Sequence, residues 1–93
     1  MLRFLLVLIA ILSGWSIGLG QTSLEGRSTK NAIVVDSVAA EYAWVRKHFP
    51  GWRRTVQTLV PEGDRCFDEL MLESPSGATE TIYFDISSFM RGC

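Results

Sequence analysis

Residues 52–86 read WRRTVQTLVPEGDRCFDELMLESPSGATETIYFDI. Apolar and polar residues alternate through three blocks, Trp52–Val60, Arg65–Glu73 and Thr79–Ile86, and a period of two is the signature of β-strands. Two clusters with proline early and glycine late, Pro61-Glu62-Gly63-Asp64 and Ser74-Pro75-Ser76-Gly77, separate the blocks and read as tight turns. Loops of three residues (62–64 and 75–77) pair Leu72 with Glu80, Leu70 with Ile82, Asp68 with Phe84 and Cys66 with Ile86. They also pair Val60 with Cys66 and Val56 with Leu70. This register collects Trp52, Val56, Val60, Cys66, Leu70, Leu72, Ile82, Phe84 and Ile86 on one face, and a slip of one residue in either hairpin scatters them.

Upstream the period lengthens. Asp36 or Ser37 supplies an N-cap oxygen, and Val38, Tyr42, Val45 and Phe49 then recur at steps of three and four, which predicts a helix with those residues on its inward face. Glu41, Arg46 and Lys47 are expected on its surface. Pro50 cannot continue the helix and Gly51 suits its stop, so the helix ends near Phe49. Ala32–Val35 is β-branched and short, either an edge strand or the lead-in to the helix. The expected fold class is α+β: one helix packed on a three-stranded antiparallel β-meander, preceded by a signal peptide.

The chain opens MLRFLLVLIAILSGWSIGLG, with one charge at Arg3 and an unbroken apolar run from Phe4 to Leu12. A basic start, an apolar core and small residues before a polar one match a signal peptide, here cleaved after Gly20 and before Gln21. The alternative is retention, since the 17 uncharged residues from Phe4 to Gly20 reach the lower limit for a membrane anchor. Residues 21–30 (QTSLEGRSTK) are polar and aperiodic and read as linker. The organisation is thus 1–20 signal peptide, 21–35 linker and 36–93 a small α+β domain, in a periplasmic or secreted protein.

The exported part holds about 73 of the 93 residues, a size at which a domain buries only about 60% of its unfolded surface. Cys66 and Cys93 both lie in it, and in an oxidising compartment such a pair reads as a disulfide, with free or intermolecular thiols as the alternative. Two cysteines and one histidine without ligand-pair spacing offer no metal site, and no glycine-rich phosphate loop or cofactor motif is present. Eight basic against ten acidic residues after Gly20 argue against a nucleic-acid partner, which requires a basic stripe.

Catalytic patterns are equally absent, and the expectation is that the protein is not an enzyme. His48, the only histidine, falls in the last helical turn, where the helix dipole favours a cation. Asp68 faces the core side in the expected register and is assigned to a wet rim, with a buried functional acid as the alternative. The uncovered face of the sheet carries Leu59, Phe67, Met71 and Tyr83 among polar residues, a mixed apolar patch of the kind that binds partners. A free sheet edge is a second place for a partner.

Ala39, Ala43 and Lys47, then Phe49-Pro50-Gly51-Trp52, and a meander with Ser76-Gly77 before a last strand ending at Asp85 resemble a PepSY-type module. The chain also looks like small exported proteobacterial proteins with an HFPGW (48–52) and YFDIS (83–87) pattern. The resemblance spans residues 38–91. It implies a helix before three strands, and protein binding or inhibition of a secreted peptidase rather than catalysis. No peptidase domain follows here, so inhibition would act in trans. The expected partner is an exported peptidase or another envelope protein, with the alternative role of a structural or accessory envelope subunit. A membrane is a partner only if the signal segment is retained.

Overall fold

A computed structural model describes residues 24–93, so the expected signal peptide (1–20), its expected cleavage and residues 21–23 lie outside the described residues. In chain order the elements are β1 (Ile33–Val34), α1 (Val38–His48), β2 (Arg53–Glu62), β3 (Arg65–Glu73) and β4 (Thr79–Asp85). The α+β class stands, but the sheet is a four-stranded mixed one, in the order β1-β4-β3-β2, not a three-stranded antiparallel meander. The added strand is the β-branched pair Ile33–Val34, which runs parallel to β4 with Ile33 opposite Phe84.

Residues 24–35 accordingly do more than link. The Gly26 carbonyl accepts from the Tyr83 amide (2.7 Å), the Val35 amide donates to the Asp85 carbonyl (3.2 Å), and Ile33 and Val35 belong to the core. Arg27 pairs with Glu80, and the Thr29 hydroxyl donates to Glu62 at the far end of β2 (3.3 Å). The folded unit therefore begins well before Asp36.

The second hairpin has the expected register, with Asp68 opposite Phe84, Leu70 opposite Ile82 and Leu72 opposite Glu80. The Ile86 amide extends it by donating to the Cys66 carbonyl (3.0 Å). The first hairpin is one residue off. Glu62 pairs with Arg65, leaving the two-residue turn Gly63-Asp64, in which Gly63 takes φ +65°. A two-residue turn with a leading glycine matches the twist of the flanking strands better than the three-residue loop. The slip exchanges the faces of β2. Gln57 now stands opposite Leu70 and Leu59 opposite Asp68, while Val56 and Val60 pair with Met71 and Phe67 on the other face. An irregularity between Arg54 and Val56 then sets Arg54 opposite Leu72.

The core lies between α1 and the inner face of β3, β4 and β1: Ile33, Val35, Val45, Cys66, Leu70, Leu72, Ile82, Phe84 and Ile86. Trp52 packs partly against it; Val56 and Val60 do not belong to it. The Ser37 hydroxyl caps α1 by accepting from the Ala40 amide (3.0 Å). The helix turns Ala40, Trp44, Val45 and Phe49 inward, with Trp44 edge-on to Phe84 at 5.5 Å. The expected stripe is thus rotated. Val38 is exposed, Tyr42 sits at the flank beneath the Arg54 guanidinium, and Glu41 is buried instead of at the surface. Large aromatic area at Trp44 outweighs the smaller Val38 in choosing which face is covered.

Cys66 and Cys93 form a disulfide, with Cα atoms 5.9 Å apart, that folds the C-terminal segment back onto the start of β3. The Ser87 hydroxyl reinforces that closure, accepting from the Cys66 amide (2.9 Å).

Candidate functional site

The slip that turned the β2 valines outward also left this strand unburied. Nine of its ten residues are exposed and only Val60 is intermediate. Helix α1 covers β3, β4 and β1, so β2 projects past the core, paired with β3 on one side and, among the described residues, with no strand on the other. Val56, Leu59 and Met71 are 51, 46 and 38% exposed. The features that blunt an edge lie at the ends of the strand, Arg53, Arg54 and the irregularity before Val56 at one end and Pro61 and Glu62 at the other, while its middle, Thr55 to Val60, is uncharged and mostly β-branched.

Beneath β2 lies a second cluster. Asp68 is only 3% exposed, so the rim assignment gives way to burial. Gln57, turned inward by the slip, offers its Nε2 to both carboxylate oxygens at 3.0 and 2.8 Å. Glu41 meets Asp68 from the helix. Burial, a hydrogen bond to Asp68 and the nearby Asp68 charge push its carboxyl up to about 8, against a smaller pull from Arg54. Glu41 therefore keeps its proton at neutral pH and donates it to Asp68, while its Oε2 has no hydrogen-bond partner. Two carboxyls sharing a proton are an acid–base pair in principle. Here both are shut from solvent, which denies a substrate access.

Of the residues expected to bind a partner, Phe67, Met71 and Tyr83 share the face away from the helix and Leu59 does not. Phe67 is 2% exposed, with the Arg65 guanidinium 5.6 Å over its ring. Arg65 also pairs with Asp85, whose carboxyl burial alone would raise; hydrogen bonds from Ser87 and the Arg65 charge outweigh this and hold it below the usual range. Leu59 has moved to the helix side of the sheet. Met71 and Tyr83 remain on the other face, where the Tyr83 hydroxyl donates to Glu69 (2.9 Å), a bond that together with partial burial raises the tyrosine. Val56, not Phe67, is the large exposed apolar residue beside Met71. A one-residue error in the turn hid this; the Gly63-Asp64 dipeptide was the available signal.

His48 is exposed at the end of α1, stacked on Trp44 at 4.1 Å, with Nδ1 3.0 Å from the Trp44 carbonyl. An open groove of about 640 Å³ runs between α1 and β1, lined by Val34, Ala40, Ala43, Trp44, Lys47 and Ser88 among others. Among the described residues no three histidine, cysteine or acidic side chains converge to hold a metal, and no helix is long and apolar enough to cross a membrane.

Fold and site together define a small disulfide-closed α+β module in which, among the described residues, one edge of the long strand β2 is unpaired. No protein-family model, curated protein or solved structure matches the chain.

Proposed function

We propose that this chain is an exported protein-binding module whose partner adds an extended strand to the free edge of β2. The observation that carries the reading is the exposure of β2 along nearly its whole length, on both faces and at its edge. Main-chain hydrogen bonds to such an edge supply affinity, and side chains alternating to either side supply selectivity. Val56 and Met71 on one face and Leu59 on the other flank the incoming strand with apolar area. The apolar leader and the disulfide support the periplasm or the exterior as the place of action.

Proline scanning tests this. Along a strand, successive amides point alternately toward the neighbour and toward the edge. Of Thr58→Pro and Leu59→Pro, one therefore keeps the native melting temperature while removing an edge donor, and neither touches the Gln57–Asp68 bonds. Photo-crosslinking in cells from a probe at residue 56 should capture a partner in the parent protein and lose it in that stable variant. Undiminished crosslinking in the stable proline variant overturns strand addition.

A further inference from the structure

We infer that the strand added to β2 is β2 of a second copy of this chain, antiparallel about a two-fold axis through Thr58. The inference rests on the strand-addition reading and names its occupant. A two-fold axis perpendicular to a sheet makes the abutting strands antiparallel and continues each face into the same face of the partner. The two strands then read each other symmetrically about one residue, an isologous contact.

With the axis at Thr58, Gln57 lies opposite the partner's Leu59 and Val56 opposite the partner's Val60. Val56 and Val60 share the face that also carries Met71. Four valines, two from each copy, thus form two apolar pairs across the junction, one on each side of the Thr58–Thr58 pair at the axis, the cross-strand pairing that stabilises sheets. Beyond Val56 the bulge at Arg54 absorbs one residue, so Arg53 comes opposite the partner's Glu62. The faces agree, since Arg53 pairs in register with Glu73 and Glu62 with Arg65, both on the valine face. Arg53 already bonds Glu73 (2.7 Å), and a second copy extends that pair to the partner's Glu62 at both ends of the junction.

Neighbouring registers lose the match. With the same bulge, an axis at Gln57 sets Arg53 against the partner's Val60, and one at Leu59 sets Val56 against the partner's Glu62. Parallel in-register pairing would put arginine against arginine. Pro61, which has no amide to donate, lies just outside the valine pairs, where its lack of a hydrogen bond costs least. The strand, about 34 Å long at the rise of an antiparallel strand, is thus self-complementary in apolar residues and in charge.

Sedimentation of the mature protein over a wide concentration range, with charge-reversal variants, tests this. The parent should dimerise. Arg53→Glu and Glu62→Arg should each weaken the dimer by about tenfold or more, since each sets like charges opposite one another at both ends. Combined Arg53→Glu/Glu62→Arg should recover it. Hydrogen exchange should show β2 edge amides becoming protected as concentration rises. A dimer indifferent to the single reversals overturns the inference, as does failure of the double variant to recover. A protein monomeric at every concentration also overturns it; strand addition then survives if the stable proline variant still abolishes crosslinking to another protein, and both fall if it does not.

Discussion

Glu41 is the residue at which the physical chemistry of this fold is most exposed to experiment. A glutamate free in an unfolded chain titrates near 4.5, and the folded environment raises Glu41 to about 8. Below the unfolded value both states hold the proton, and the full contribution of the neutral, hydrogen-bonded acid is present. Between the two values the unfolded chain releases a proton that the fold retains, so stability falls with rising pH by at most about 1.4 kcal/mol per pH unit. Above about 8 that loss is complete. Glu41→Gln, which keeps the shape and a donor for Asp68, should flatten the fall and leave the protein more stable than its parent at pH 8. Denaturant melts at pH 5, 6.5 and 8 check this, and a parent slope retained in the variant would refute it. At the acid end Asp85 acts in the opposite sense, its lowered titration adding stability that disappears as pH drops through the folded value. The inward position of Asp68 was legible from alternation alone. Glu41 was not, because its burial depends on which way the helix is rotated, and the apolar positions Val38, Tyr42, Val45 and Phe49 define a face just as regular as the one the tertiary contacts select.

At the scale of elements, the segment read as linker became part of the sheet. Its polar residues make ion pairs and turn contacts, and only Ile33 and Val35 enter the core, so composition gave little sign of order. Gly26 carries the consequence. It takes φ +80°, and a Cβ there would lie 3.0 Å from Ile82 Cγ2 and 3.2 Å from two atoms of Ile33. Gly26→Ala should therefore destabilise the domain by about 1 to 3 kcal/mol, a cost set by backbone strain with the Ile82 clash added. A true linker would tolerate it, so an unchanged thermal melt would detach this segment from the fold. Among the hairpins, the 74–78 turn was readable because Ser74, Gly77 and Ala78 close on one another: the Gly77 amide donates to the Ser74 carbonyl and the Ser74 amide to the Ala78 carbonyl, both at 2.9 Å. The 61–64 turn admitted two loop lengths. Alternation favoured the one that buried Val56 and Val60, but that solution would have left the Asp68 carboxylate without Gln57.

For the whole molecule, the Cys66–Cys93 bridge spans 27 positions. On the chain-entropy account such a loop contributes about 3 to 4 kcal/mol, a large share of the roughly 5 to 15 kcal/mol that holds a typical domain. Cys93→Ser should lower the melting temperature by well over 10 °C at a pH where the parent is stable, since about 1 kcal/mol shifts a domain of this size by 4 to 8 °C. A shift of only a few degrees would show that Ser87 and the turn at Ile86 hold the C-terminal segment without the bridge.

Sequence alone determined the α+β class, the helix bounded by Ser37 and Pro50, the three long strands, the β3–β4 register and the pairing of the two cysteines as one of its readings. Each of these rests on local periodicity, on a capping residue or on the redox chemistry expected of a chain with an apolar leader. Tertiary structure alone decided the parallel addition of Ile33–Val34, the rotation of α1, the turn at Gly63-Asp64 and hence the two faces of β2. In each case the local alternatives differ little in propensity, and the choice falls to long-range terms: covering Phe84 with Trp44, and giving a buried carboxylate its donors.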